Sequence, residues 1–444
     1  MELAASSMRA RERAWAIAVR RDLALLDQIS RATNGPFHII HPASFADNLA
    51  AFQQALQRNN VRGHVYFGKK ANKAGAWLRE VARLRGSVDV ASIPEFVHAL
   101  ANGLRGENIG VTGAAKSNEL LWLAGRHGAT VAIDALDELE RAIVVAADPS
   151  PLRVLLRVLP PSSPNSRFGL NPADLRAALQ RCASARQRLV MDGFSFHLDG
   201  YAVEPRAELA STLINHCLEA RSYGFPCTAI SIGGGFACSY VEEGDWHAFK
   251  ERLDPTQFHA EKSFSHFYPY HQSPTGAAML EAILQTPVEG GTLASKFIAA
   301  GLQLYLEPGR ALLDGAGMTV FPVQGFKRNA EHGIVTVAGL SMSLSEQWKN
   351  SEFLPTPILV EHGPTRPRES VRAAVGGSSC MEYDVLTWRK IEFSARPRYG
   401  DLIVYPNTAG YQMDKNESEF HQLALPPKIV VTEHDGHFIW RMDQ

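Results

Sequence analysis

Short apolar runs alternate with amphipathic stretches over roughly the first 310 residues, and this alternation sets the fold class. From about Met8 to Ala32, Trp15, Ile17, Leu23, Leu25, Leu26 and Ile29 supply the apolar positions of a helix whose other side carries arginines. Asn34-Gly35-Pro36 ends it, and Phe37-His38-Ile39-Ile40 reads as a strand. Eight further strands are predicted at His64–Phe67, Ser87–Val90, Ile109–Thr112, Thr130–Ile133, Leu152–Val158, Gly193–His197, Ala229–Ile232 and Leu302–Leu306. Helical spacing fills Lys73–Leu84, Pro94–Leu104, Asn118–Gly125, Asp137–Ala146, Pro172–Cys182 and Pro205–Tyr223 between them. Eight strands with crossover helices favour a closed parallel (β/α)8 barrel of the TIM type, although an open doubly wound sheet has a similar signature.

The rhythm breaks twice. After Gly233-Gly234-Gly235, about 70 residues pass before the eighth strand, including Phe264-Ser265-His266-Phe267-Tyr268-Pro269-Tyr270-His271. So long a connection reads as a lid or pocket wall, or as packing against a second subunit. After Arg310 the helical period fades and β-rich segments follow at Met318–Gln324, Ile334–Val337, Pro357–Glu361, Asp401–Tyr405 and Lys428–Thr432. The expected division is an N-terminal helix and strand (1–43) joining the β domain, a barrel (44–310), and an antiparallel, barrel-like β domain (311–444).

Composition narrows the function classes. A formal net charge of −1 gives no electrostatic reason to expect nucleic acid or an acidic membrane as partner. The five cysteines (Cys182, Cys217, Cys227, Cys238, Cys380) lack metal-ligand spacing, and an odd count argues for reduced thiols in a cytoplasmic compartment. His259, His266 and His271 share one loop but form no HExxH-like pair, so no metal is expected. Arginines interrupt the N-terminal apolar run, which is therefore neither a secretion signal nor a membrane span.

Four motifs carry chemistry. Tyr66-Phe67-Gly68-Lys69-Lys70-Ala71-Asn72 puts amines at the C-terminal end of a strand, the face where barrel enzymes build their sites. Neighbouring strand side chains face opposite ways, so Lys70 is taken as functional and Lys69 as structural or solvated. Ile232-Gly233-Gly234-Gly235-Phe236 allows backbone N–H groups to approach an anion, and a plain tight turn reads equally well. Glu307-Pro308-Gly309-Arg310 closes the eighth strand with a guanidinium suited to phosphate, or with a Glu–Arg pair at a turn. Phe194-Ser195-Phe196-His197 brings an imidazole to the same end of the barrel. A lysine facing a phosphate site, with an acid and an imidazole between, is the donor set for pyridoxal 5'-phosphate held as a Schiff base.

In that order these motifs resemble the ornithine/diaminopimelate decarboxylase group of fold-type III pyridoxal-phosphate enzymes, within the alanine-racemase-like superfamily. The likeness runs from about Pro36 to Val431 and takes in Val88-Asp89-Val90-Ala91-Ser92, Ser166-Arg167-Phe168-Gly169, Cys380-Met381-Glu382-Tyr383-Asp384 and Ala409-Gly410-Tyr411. The resemblance implies that Lys70 bonds the cofactor, His197 stacks on its ring and Glu307 pairs with the ring nitrogen. Gly233, Gly234, Gly235, Gly309, Arg310 and Tyr411 would hold the phosphate, while Asp89 and Arg157 orient the lysine and histidine. Cys380 would return a proton to the reacting carbon from the neighbouring subunit of a homodimer. Met381, Glu382 and Asp384 fall on the substrate side.

The departures matter as much. Ala409-Gly410-Tyr411 replaces the group's Gly-Ala-Tyr, and His197-Leu198-Asp199-Gly200 lacks the serine usual after the histidine. Met381 stands where the group carries Asp or Glu to read the substrate's far amine. A charge-assisted hydrogen bond of roughly 1.5–3 kcal/mol is lost with it. A diamino substrate would suffer on the order of ten- to a hundredfold. Either the substrate lacks a distal cation there or Glu382 substitutes, unless Met381 simply packs an interface. The implied activity is decarboxylation of an amino acid. Racemisation on the same cofactor is the nearest competitor, and a binding homologue without turnover is another; Cys380 in the decarboxylase motif argues against the former, and the retained Lys70, Glu307, Arg310 and Cys380 against the latter.

Overall fold

The computed structural model describes residues 7–146, 150–329, 331–344, 351–364, 366–415 and 417–443. Eight parallel strands close on themselves: Gly63–Gly68, Ser87–Val90, Ile109–Val111, Thr130–Ile133, Leu152–Arg157, Leu189–Ser195, Ala229–Ser231 and Gln303–Leu306. The last pairs with the first through Leu304↔Gly63, Tyr305↔His64 and Leu306↔Val65, which decides for the closed barrel over the open sheet. Helices Gly75–Arg83, Ile93–Ala101, Asn118–Arg126, Leu136–Val145, Pro172–Ser184 and Glu204–Ser222 lie between strands at nearly the expected positions. The sixth strand begins four residues earlier than anticipated and ends at Ser195, so His197 lies in the loop beyond it.

The N-terminal stretch folds as two helices, Ala14–Arg21 and Leu23–Thr33, where one was expected. Asp22 is the reason: its carboxylate accepts from the Leu25 N–H and caps the second helix. Helix Pro42–Arg58 escaped the sequence reading although its signals are strong. His41 caps it through the Ser44 N–H, Pro42 opens it, and Phe45, Leu49, Phe52 and Leu56 form one buried stripe. Phe45 meets Phe67 and Trp77 at ring-centroid separations of 5.1 and 5.5 Å, bracing the first barrel strand from outside.

The C-terminal domain is built on the long strand Gly317–Arg328, which pairs with Phe37–Ile40, Gly333–Val337 and Leu402–Pro406. It is not wholly antiparallel, as had been expected. Phe37–Ile40 runs parallel to Lys428–His434, and Gly333–Val337 parallel to Val371–Gly376, because the connections between these partners are long crossovers. The N-terminal strand is thus sandwiched inside the C-terminal sheet. A separate core of Val19, Leu26, Ile29, Phe37, Ile39, Val320 and Ile429 fastens the two ends of the chain together. Each such side chain, fully buried, stabilises by about 1.5–3 kcal/mol.

The insertion before the eighth strand holds helices Glu243–Glu251, Gly276–Gln285 and Leu293–Ala300. The rings of its aromatic stretch pack inward, while Ser265 and His266 stay exposed. Phe267 packs on Phe249 and Phe258, and Tyr270 is wholly buried with its hydroxyl donating to the Glu352 carbonyl. The segment is a wedge between barrel and β domain. Among the described residues no helix is long and apolar enough to cross a membrane.

Candidate active site

Lys70 does not lie in a strand. The first barrel strand stops at Gly68 and Lys69–Ala71 form a single 3₁₀ turn. The Gly68 N–H donates to Pro308 O (3.1 Å), and the Tyr411 N–H to Ala71 O (2.8 Å). The turn is therefore pinned from the eighth-strand loop and from the β domain. It separates the two lysines, which strand alternation was expected to do. Lys69 is buried beneath the surface, where burial pulls its amine down against the pull of Glu95 and Asp414. Lys70 stands in a cavity of about 530 Å³ lined also by Asp89, Arg157, Phe168, His197, Asp199 and Glu307. Burial pulls its amine down, but the charges of Tyr411, Asp89 and Glu307 outweigh it and leave the pKa raised.

The glycine run makes a tight turn. Gly233 and Gly235 take φ of +67° and +77° on either side of Gly234, and the Gly233 and Gly234 N–H groups donate to Ser231 Oγ (3.2 Å) and His197 Nδ1 (3.3 Å). A Cβ at Gly233 would sit 2.7 Å from His197 Nδ1, at Gly234 2.6 Å from Glu307 O, and at Gly235 2.2 Å from Arg206 Nη2. Only glycine lets these three segments meet. Gly309 is equally constrained, since a Cβ there would lie 2.9 Å from the Tyr411 hydroxyl.

Arg310 lies buried, its Nη1 donating to Tyr240 Oη (3.0 Å) and Gly410 O (3.2 Å). Its guanidinium also lies over the rings of Tyr268 (4.3 Å) and Tyr411 (4.8 Å). Glu307 accepts a 2.5 Å hydrogen bond from Ser231 Oγ, which fixes one carboxylate oxygen. His197 is held neutral, its pKa pushed down to about 3 by burial and then by the cations of Lys70, Arg157 and Arg206. Its Nδ1 accepts from the Gly234 N–H at 3.3 Å. Asp89 is buried with Oδ1 unpartnered, and burial followed by the charge of Glu307 drives its pKa well above the carboxylate range. Arg157 is clamped by Asp134 (3.2 Å) and stacks on Phe168 (4.4 Å), whose ring also carries Arg167 (4.3 Å).

Several of these residues went unread in the sequence. Ser231 sits two residues before the glycine run, and a serine ending a barrel strand was the available signal. Arg206 gave none: it lies in the first turn of a helix, yet folds inward so that Nη2 donates to the carbonyls of Leu198, Gly200 and Gly234. Tyr240 and Tyr268 come from the long insertion, as part of its wedge. Beneath Asp134, the buried pair Lys116–Glu138 (3.1 Å) receives the Asp134 and Lys116 N–H groups on Glu138 at 2.7 Å each.

The second motif lies apart. None of residues 380–384 lines the Lys70 cavity. Cys380 and Glu382 are exposed and Met381 half-buried. Asp384 corrects its expectation as a substrate contact: it is buried, and its carboxylate accepts the N–H groups of Ser341 (2.7 Å) and Ser379 (3.0 Å), which consolidates its own turn. The loop histidines go separate ways, His259 to His332, His266 to Ser265 and His271 to Ser239. The residues fit pyridoxal phosphate: an amine, a neutral ring and a fixed carboxylate line one cavity, and a glycine turn packed against His197 and Glu307, with a buried arginine three residues after Glu307, supplies donors for an anion.

Comparison with known proteins gives the same picture. Residues 43–270 match the family described as pyridoxal-dependent decarboxylase, pyridoxal binding domain. An uncharacterized protein, y4yA, from Sinorhizobium fredii is 35% identical over 90% of this chain and 88% of its own length. A diaminopimelate decarboxylase from Deinococcus radiodurans is 24% identical, covering 90% of this chain and 91% of its own. The crystal structure of diaminopimelate decarboxylase from Helicobacter pylori complexed with L-lysine superposes with a TM-score of 0.74 at 16% identity, over 94% of this chain and 96% of that one.

Proposed function

The chain belongs to the pyridoxal-dependent decarboxylase family, and from that premise we propose that Lys70 is its cofactor lysine and Cys380 its proton donor. The reaction class is removal of the carboxylate of an amino acid as carbon dioxide. When bound, the cofactor supplies a sink for the electron pair left by the broken carbon–carboxylate bond. The residues that would hold it are the glycine turn with Arg310 and Tyr411 for the phosphate, Glu307 for the ring nitrogen, and His197 against the ring.

The observation that carries the reading is the electrostatic division of the cavity. His197 stays neutral and packs, while Glu307, fixed by Ser231, holds one carboxylate oxygen at a set position. Lys70 carries a raised pKa, so its amine is charged at neutral pH and must surrender a proton as it bonds the cofactor's carbonyl carbon. Asp89, buried in the same cavity with Oδ1 unpartnered, is the nearby group able to share it. Cys380 is exposed and away from the cavity of its own chain. That placement supports a homodimer in which it enters the partner's site. With Asp384 occupied in its own turn, Glu382 and Met381 are the residues of that motif left to face the substrate.

Borohydride reduction of the yellow holoenzyme, digestion and mass spectrometry test the lysine assignment. The pyridoxyl group is expected on Lys70, and Lys70→Ala should be colourless and release no carbon dioxide from any amino acid. A label on Lys69, or colour retained in Lys70→Ala, would refute it.

A further inference from the structure

Cys380 is not alone in its turn. The Sγ atom lies 3.2 Å from Nε2 of His421, forty-one positions later in the chain, and the Cys380 backbone N–H donates to the same nitrogen at 3.4 Å. A backbone N–H can only donate, so Nε2 presents its lone pair and the neutral ring carries its hydrogen on Nδ1. The thiol then points its hydrogen at a base.

The histidine is held there by unusual backbone. His421 and Gln422 adopt φ of +61° and +60°, two consecutive non-glycine residues in the left-handed region. Residues held in such conformations cluster at functional sites. The Phe420 ring, with its centroid 4.3 Å from that of His421, and the Gln422 N–H donating to Glu419 O at 2.8 Å fix the turn. The titratable side chains in the two turns are Glu382, Tyr383 and Asp384 beside the cysteine and Glu419 beside the histidine; Asp384 is spent on backbone N–H groups.

We propose that His421 is the proton relay of Cys380, a positioning residue that acts through the thiol. The proposal rests on the reading of Cys380 as the acid. Its S–H bond breaks as a C–H bond forms at the carbon that lost carbon dioxide, leaving a thiolate. The exposed imidazole takes a proton from water at Nε2, and that N–H bond breaks as the S–H bond re-forms. The ring returns to its starting form, and each turnover consumes one solvent proton, as decarboxylation to an uncharged gas requires.

The test is the rate of Cys380 alkylation by iodoacetamide in the holoenzyme, with Cys380→Ser as the labelling blank. In His421→Gln, where no imidazole takes up the thiol proton, labelling at neutral pH should slow roughly tenfold. The same variant should keep its cofactor colour and KM while kcat falls, and added imidazole should restore turnover to His421→Ala. If Cys380→Ala is impaired but both His421 variants keep the wild-type alkylation rate and kcat, the relay alone is overturned. If Cys380→Ala releases carbon dioxide and incorporates solvent deuterium as the wild type does, the acid role falls and the relay with it.

Discussion

Two adjacent lysines with opposite placements show how little separates a packed side chain from one that reaches a cavity. Lys69 and Lys70 share a 3₁₀ turn, in which about 120° separates successive side chains. That rotation buries one amine and delivers the other to the cavity. The glycine turn is as sensitive. Alanine at Gly235 would need a left-handed conformation costing about 1–2 kcal/mol and would strike Arg206. Gly235→Ala is therefore expected to weaken cofactor binding by ~5- to 30-fold, read from titration of the apoprotein with pyridoxal phosphate. The departure within His197-Leu198-Asp199-Gly200 becomes intelligible at this scale too. A serine is missing, yet Arg206 ties that loop to the Gly234 carbonyl from below.

Among the elements, the short strand Phe37–Ile40 does most to unite the chain, and it carries a buried histidine. His38 Nδ1 bonds Thr319 Oγ1 at 2.9 Å, and its pKa is pushed down to about 3 by burial, with Lys428 adding and Asp414 opposing. Unfolding returns the ring to its ordinary value of about 6.5. Because the folded value is the lower one, the unfolded chain takes up more protons as the medium is acidified. The stabilisation is complete above about pH 6.5 and is lost as pH falls towards 3, amounting to about 2 kcal/mol by pH 5. His38→Gln should remove this contribution, flattening the change in urea midpoint between pH 7 and 5; an unaltered slope would show that His38 is not held neutral. The helix Pro42–Arg58 that follows was fully legible, with cap, proline and apolar stripe all present. The wedge in the insertion was not, because an aromatic run has no period that tells packing from a lid.

At the scale of the whole molecule, the proposal that Cys380 serves the site of a second subunit can be tested by mixing variants. Lys70→Ala and Cys380→Ala, each inactive alone, should regain about a quarter of wild-type activity when mixed and reassociated, since half the dimers are mixed and each holds one intact site. No recovery on mixing would place both residues in one chain's site. The aromatic wedge, the Tyr411–Ala71 hydrogen bond and the N-terminal strand all join barrel to β domain. The site is therefore assembled from the whole chain.

The sequence by itself determined the alternation of strands and helices, because their periods are local, and it placed Lys70, the glycine run, Glu307 and Arg310 at or just beyond strand ends; closure of the barrel was decided by the pairing of its last strand with its first. It could not see Arg206, Tyr268 or His421, whose roles come from contacts between separate segments of the chain. Nor could it see that Phe37–Ile40 lies between two C-terminal strands, or that Asp384 turns inward. Periodicity records which face of an element is apolar. Which other element that face meets, and what an inward-folding polar side chain finds there, only the tertiary structure decided.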